Sequence, residues 1–366
     1  EAMLYDTGAI GRLGKIEEGN TVSDFDLEEQ KRQISINTSV ITFDYRGKNL
    51  FLLDTPGYAD FVGELRSGMR VADSVVILVS GVDGVEVQTE KAFDFASDFS
   101  IPVVFFINKL DRDNADYDKT LKEIQQVLTD KALPLYLPIG QESNFKGVVN
   151  VLSGKAYIYK GSGSKEFEEG TPPADLEEKL AAAKEALVEK IVEVDDDLMM
   201  RYLDGEELKE EELTAALKKA VFQRVVMPVL PGSAVANVGV FQLLDVISNI
   251  LPSPVDMFPR KAIDPEGKEI EVKPDPDEKF SSLCFKVMVD PYVGKLSFIR
   301  VFSGKLTSDQ SVYIVNKKVE ERISSLRFMK GKEGKDVKEV IVSDIVAIPK
   351  LQNAAVGDTI AVKGVD

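Results

Sequence analysis

Residues 108–111 read Asn-Lys-Leu-Asp and follow an apolar run, Val103 to Ile107. An Asn amide at Asn108 can bond the N7 and O6 edge of guanine, the stem of Lys109 can lie over the ring, and Asp111 can accept from the N1 and N2 donors. Adenine offers no such donor pair. Four residues are a weak signal by themselves, and position is what gives them weight. Asp54-Thr55-Pro56-Gly57 closes another apolar run, Leu50 to Leu53. There Asp54 can hold Mg²⁺ through water and the Gly57 N–H can reach a γ-phosphate, so that hydrolysis would release the segment that follows. A third loop, Gly232-Ser233-Ala234, follows the run from Val225 to Pro231 and can present the N–H groups of Ser233 and Ala234 to guanine O6.

These loops need elements that bring them to one edge. Ile41, Phe43 and Tyr45 alternate with polar neighbours, Arg46-Gly47 makes a turn, and Leu50–Leu53 follows as a continuous apolar run, so a hairpin leading into a buried strand is expected. Val62, Leu65, Met69 and Ala72 share one helical face over 60–73. "SVVILVSGVDG" and "IPVVFFINKLD" supply two strands buried on both sides. Strands alternating with helices imply an α/β doubly wound, mostly parallel sheet whose functional loops lie at the carboxyl ends of the strands. "DTPG", "SGVDG" and "NKLD" are all expected there.

A change of composition marks the middle of the chain. Leu176, Leu180, Leu187 and Ile191 recur at helical spacing after a Pro-Pro start, and a strand returns at 224–234, so residues 137–223 read as an inserted α/β subdomain. Its acidic residues, Asp195-Asp196-Asp197 among them, read as solvated helix-end surface rather than a metal site. Residues 1–253 form the first domain on this reading, and a Pro- and charge-rich linker occupies 254–279. Short alternating runs over 280–366 then predict a small antiparallel β-barrel.

Composition excludes several functions. The 366 residues carry a formal charge of -17, which argues against a general DNA or polyanion binder, because such affinity comes from neutralising phosphates. The basic stretch holding Arg322, Arg327, Lys330 and Lys332 is the local exception, suited to nucleic-acid phosphates or to a solvated loop. One cysteine, Cys284, leaves no internal disulfide, and no apolar run approaches the roughly 18 residues of a membrane span. A cytoplasmic protein with no membrane partner is expected. No histidine occurs, which removes the usual general base. The first residues, "EAMLYDTGAIG", look like a continuing helix stopped at Gly8 rather than a leader or a natural start.

Taken in order, the three loops resemble the guanine-nucleotide domain of a P-loop translational GTPase. "YDTGAIGRLGKIEEGNTVSDFDLEEQKRQISINTSV", "DTPGYADFVGEL", "LPGSAVANVGVFQLLDVISNILPSPVD" and "FKVMVDPYVGKLSFIRVFSGKL" resemble elongation factor G across its GTPase domain, inserted subdomain and second domain. The resemblance implies GTP/GDP and Mg²⁺ as cofactors, the ribosome (rRNA and ribosomal proteins) as partner, and hydrolysis of GTP to GDP and phosphate.

Departures from that family are specific. Its Gly-rich phosphate-binding loop would sit just before "EAMLYDTG", and the sequence starts after it. Without that loop β-phosphate binding should largely fail, and residues 20–37 are expected to be poorly fixed. The family's "RGITI" reads "RQISI" here, which puts the Mg²⁺-ligating hydroxyl on Ser35 and costs backbone freedom at Gln33. The family's "DTPGH" ends in Tyr58, in the place of the histidine that positions the attacking water. A phenol, with an ordinary pKa near 10, orients water but is a poor base at neutral pH. Slower or differently triggered hydrolysis is implied; alternatively Tyr58 only packs against the helix it opens. In this the sequence resembles the variant paralogues more than the housekeeping factor. A ribosomal protection protein of the tetracycline-resistance type, release factor three and a non-hydrolysing ribosome-binding module remain alternatives.

Overall fold

The structure, a computed structural model, describes residues 1–257, 260–264, 266–291 and 293–364. It divides into two compact units, one holding Glu1, Gly14–Ala72 and Ser253–Asp366, the other Ala2–Leu13 and Asp73–Pro252. The chain opens with a short helix, α1 (Ala2–Asp6), and a second, α2 (Leu27–Arg32), begins at an Asp26 N-cap. Strands β1 (Ser39–Tyr45) and β2 (Lys48–Asp54) then pair antiparallel from Ser39↔Asp54 to Tyr45↔Lys48. Arg46 and Gly47 both take positive φ, 48° and 76°, which is the two-residue turn whose twist suits a hairpin. Helix α3 (Val62–Val71) follows and buries Met69 and Val71.

The parallel sheet lies wholly in the second unit. β3 (Val75–Ser80) is followed by α4 (Val87–Asp98), β4 (Val103–Asn108) and α5 (Tyr117–Glu123), which runs on into a π-turn over Ile124–Leu128. β5 (Ala132–Pro134) leads to an antiparallel sheet of β6 (Tyr136–Ile139), β7 (Gly147–Asn150), β8 (Ala156–Tyr159) and β9 (Phe167–Gly170). Three helices complete the insertion: α6 (Glu177–Val192), α7 (Asp196–Leu203) and α8 (Glu210–Phe222). Leu187 and Ile191 are buried, while Leu176 and Leu180 pack on Ile139, Val149 and Ala156, so the helical spacing read from sequence is the buried face. Asp195 caps α7 by accepting from the Leu198 N–H at 3.3 Å, an ordinary helix start. β10 (Met227–Pro231) and α9 (Val240–Asn249) close the unit. All ladders in the order β3-β4-β10-β5 are parallel.

The strand ending in Asp54, expected in the parallel sheet, is not a member of it. Among the described residues it pairs only with β1, and β1 joins the antiparallel β domain through Ile41↔Lys330. The reason lies in packing: Val40, with Phe51 and Leu53, is covered by Phe285, Leu296, Phe298 and Met329, and Phe51 meets Phe328 edge-on at 5.5 Å.

Within 254–279 the chain is not a bare linker: β11 (Arg260–Ile263) and β12 (Glu269–Val272) form a hairpin there. Beyond it come β13 (Ser281–Asp290), β14 (Gly294–Ser303), β15 (Lys305–Thr307), β16 (Ser311–Ile314), β17 (Val319–Arg322), β18 (Leu326–Lys330), β19 (Glu333–Val337), β20 (Glu339–Ile341), β21 (Ile345–Pro349) and β22 (Thr359–Ala361). Their ladders are antiparallel in the order β17-β16-β22-β13-β14-β21-β18, with β19 beside β18 and β15 paired to β20. Val312 of β16 and Leu326 of β18 share one core with Ile299, Ile348 and Ile360, so strands from both ends of that order wrap the same apolar centre. Cys284 is in that core, and burial pushes its thiol up to about 12.

Candidate functional site

The residues expected to read guanine come together in the unit with the parallel sheet. β4 ends at Asn108 and β10 ends beside it at Pro231, so parallel pairing sets residues 108–111 next to 232–234. The Asn108 side-chain carbonyl accepts from the Ala234 N–H at 2.9 Å, and the Leu110 N–H donates to the Gly232 carbonyl at 3.2 Å. Gly232 is required: a Cβ there would stand 2.0 Å from the Phe106 ring. With its oxygen taken, Asn108 offers its amide N–H groups, the polarity that N7 and O6 need. Lys109 has a φ of 65° and its ammonium lies 3.6 Å from Asp83, so its stem is stretched between the 108–111 and 80–84 loops. Asp83 is oriented in turn by the Ser80 hydroxyl at 2.7 Å, and that bond, with Lys109 nearby, lowers its carboxyl below the usual range. No donor among the described residues reaches the half-buried Asp111 carboxylate. The Ser233 hydroxyl is buried and accepts from the Ala236 N–H at 3.0 Å, so it closes its own turn. The Ala234 N–H, expected to face guanine O6, is instead held by Asn108.

The phosphate-side residues lie in the other unit. Asp54 ends β2 and burial raises its carboxyl, with Asp24 adding to the rise and the Ser23 hydroxyl opposing it. Ser35 donates its hydroxyl proton to Asp24 at 2.8 Å. Such a hydroxyl keeps its lone pairs for a cation, so the chemistry of Ser35 is compatible with the Mg²⁺ role expected of it. No group of three or more acidic or thiol side chains among the described residues is arranged to hold a metal alone. Gly57 is exposed, with open space where a side chain would begin. Tyr58 is 56% exposed at the start of the turn into α3.

Two carboxylates that sequence reading missed accept backbone N–H groups at the end of the 20–37 segment and at Thr38 just beyond it. Glu29, 2% exposed, accepts from the Ile36 and Asn37 N–H groups at 3.0 and 2.9 Å. Glu64 of α3 accepts from the Thr38 N–H at 2.7 Å and pairs with Lys286 of β13 at 3.5 Å. Burial works against ionisation of Glu64, but the Thr38 N–H and Lys286 hold its carboxyl below the usual range. Burial lowers the pKa of Lys286, and Glu64 works the other way. No spacing motif announces this cluster, since its members lie on α2, α3 and β13. Asp83 was within reach of sequence reading, as part of the 80–84 loop at the end of β3. In the basic stretch, Arg327 pairs with Asp336 at 2.7 Å and Lys330 with Glu333 at 3.4 Å, so half of it is internally neutralised.

The chain matches the family model for the elongation factor Tu GTP-binding domain over residues 1–253 and that for elongation factor G domain 2 over residues 279–363. Elongation factor G of Ureaplasma parvum serovar 3 (strain ATCC 27815 / 27 / NCTC 11736) is 36% identical over 360 residues, and that of Ureaplasma urealyticum serovar 10 is 37% identical over the same length. Each alignment covers 98% of this chain and 52% of the relative, so the chain spans about half the length of the curated relatives it matches. A crystal structure of a Thermus thermophilus protein superposes with a TM-score of 0.86 at 32% identity, covering 99% of this chain and 51% of that one. With the 108–111 and 232–234 loops side by side at the strand ends and matches across both parts of the chain, it belongs to the translational GTPases that carry the elongation factor Tu GTP-binding domain and is elongation factor G-like.

Proposed function

We propose that the protein carrying this chain binds GTP and GDP, acts on the ribosome in the cytoplasm, and hydrolyses GTP to GDP and phosphate as a conformational switch. The observation that carries the reading is the locked Asn108–Ala234 contact beside an unpartnered Asp111, which leaves donors facing one base edge and an acceptor facing the other. Lys109 is the wall of that slot and Asn108, Asp111 its readers. Ala234 and Ser233 hold the loop that keeps Asn108 turned outward. On the phosphate side, Gly57 meets the γ-phosphate, and Ser35 and Asp54 would hold Mg²⁺, which supplies charge neutralisation of the phosphates. Tyr58 orients water without serving as a base.

The test is a fluorescence titration with labelled GDP, in a protein that carries this chain together with a phosphate-binding loop. ATP should fail to displace it. Asp111→Asn should weaken GDP binding by about 2–3 kcal/mol while admitting xanthosine diphosphate, whose O2 accepts where guanine N2 donates. Equal competition by ATP would remove the guanine reading. Hydrolysis unchanged by ribosomes would leave a nucleotide-binding module without the switch.

A further inference from the structure

The loop that carries Ser233 and Ala234 is held from two sides. On one, Asn108 accepts from the Ala234 N–H at 2.9 Å. On the other stands Asp6, the last residue of α1, whose carboxylate accepts from the Asn237 side-chain amide at 2.6 Å across 231 positions of sequence. The same amide reaches the Ser164 carbonyl at 3.4 Å, and the Gly163 N–H donates to the Ala236 carbonyl at 2.8 Å. The turn between β8 and β9 therefore closes on the same end of the loop.

Asn237 is placed to pass this hold along. It is fully buried with a φ of 56°, a left-handed conformation that Asn tolerates better than most residues. Val238, next to it, exchanges both backbone hydrogen bonds with Ser233, at 2.9 and 3.0 Å, and the Ala236 N–H closes the turn on the Ser233 hydroxyl. The Asp6 contact is a poor device for stability alone. Asp6 Oδ2 and Asn237 Oδ1 are both out of water with no hydrogen-bond partner among the described residues. Burial pushes the Asp6 carboxyl up, opposed by the Asn237 bond and by Lys165 nearby. A half-satisfied buried pair costs free energy, and one kept at the foot of a candidate ligand loop is accounted for by the geometry it fixes.

We infer that Asp6 is a positioning residue for guanine recognition: through Asn237 it fixes the 233–238 turn, and through the Ala234 N–H it keeps the Asn108 amide turned toward N7 and O6. It acts through these residues rather than on the base. The inference rests on the guanine reading proposed above.

Two measurements separate it from that reading. In nucleotide-free protein, hydrogen exchange of the Ala234 and Val238 amides should rise by about tenfold in Asp6→Ala and stay at the wild-type rate in Asp6→Asn, which keeps an oxygen for Asn237. Asn237→Gly, whose backbone takes the left-handed conformation without strain, should raise it as far, and D6A should add nothing in that background. In a protein that carries this chain together with a phosphate-binding loop, D6A should weaken GDP and inosine diphosphate by the same factor, about tenfold, because both present N7 and O6. Asp111, which reads the N2 donor that inosine lacks, should be unaffected, and D6N should restore both affinities. Loss of fold alone would lower the number of sites rather than their affinity. The inference is overturned if exchange at Ala234 is unchanged in D6A, if the effects of D6A and N237G add, or if D6A binds GDP as tightly as wild type or shifts the ratio of GDP to inosine diphosphate. If ADP binds the wild type as tightly as GDP, the guanine reading fails, and the exchange data alone decide whether Asp6 holds the loop.

Discussion

Gln33 ends α2 with a φ of 57°, the conformation that the family's glycine at this place would adopt without strain. Gln33→Gly should therefore stabilise the unit by about 1 kcal/mol, read as a higher urea midpoint. A lower midpoint would mean that the gain in unfolded-chain entropy outweighs the relief of strain. Tyr58 is the other departure read from the resemblance to elongation factor G. Standing 56% exposed at the start of the turn into α3, it has room to be replaced without repacking. Tyr58→His should raise ribosome-stimulated phosphate release by about 10²-fold and introduce a pH dependence near 6.5 that the wild type lacks. A rate unchanged by the histidine would show that water positioning at this residue does not limit turnover.

Three elements meet at the Glu64–Lys286 pair. α3 follows Tyr58, β1 follows Ser35, and β13 belongs to the antiparallel β domain; Glu64 binds the Thr38 N–H and Lys286 at once, while Arg300 of β14 donates to the Val71 carbonyl at the end of α3. Lys286 is 6% exposed, so removal of its partner leaves a buried charge. Glu64→Gln should cost roughly 3 kcal/mol in urea unfolding, and Lys286→Met should cost less when made in that background than alone. Strict additivity would show that the pair is not coupled. The pH sign follows from the depressed Glu64 carboxyl: its contribution is present above the pH at which an unfolded Glu titrates, about 4.3, and is lost as pH falls through its lower folded value. Exchange of the Thr38 amide, corrected for intrinsic rate, should be better protected at pH 7 than in acid.

At the scale of the molecule, a net charge of -17 is joined to a β18–β19 hairpin whose cations are half paired to their own carboxylates. Affinity for nucleic acid depends on phosphates neutralised by free cations. Unstructured RNA should therefore not be retained in a gel shift at about 150 mM salt, and the proposed ribosome association must come from shape and local contacts. Micromolar RNA binding under those conditions would contradict this. No helix among the described residues is long and apolar enough to cross a membrane.

The sequence by itself determined which loops are the candidates for chemistry. Residues 108–111 and 232–234 were legible because strand ends in a parallel sheet are announced by an apolar run followed at once by polar residues, a purely local signal. The helical face of the insertion was legible for the same reason, as its Leu and Ile spacing is local. Only tertiary structure decided the rest. That β2 lies beside β1 and β18 rather than in the parallel sheet depended on which apolar surface covers Val40, Phe51 and Leu53, and that surface is built from residues more than 200 positions away. The roles of Glu29, Glu64 and Lys286 were hidden for a related reason: a charged residue reads as surface until its burial and its partners are known. The Asn108 amide was recognisable by type, but its orientation was fixed only when the Ala234 N–H arrived from 126 residues along the chain.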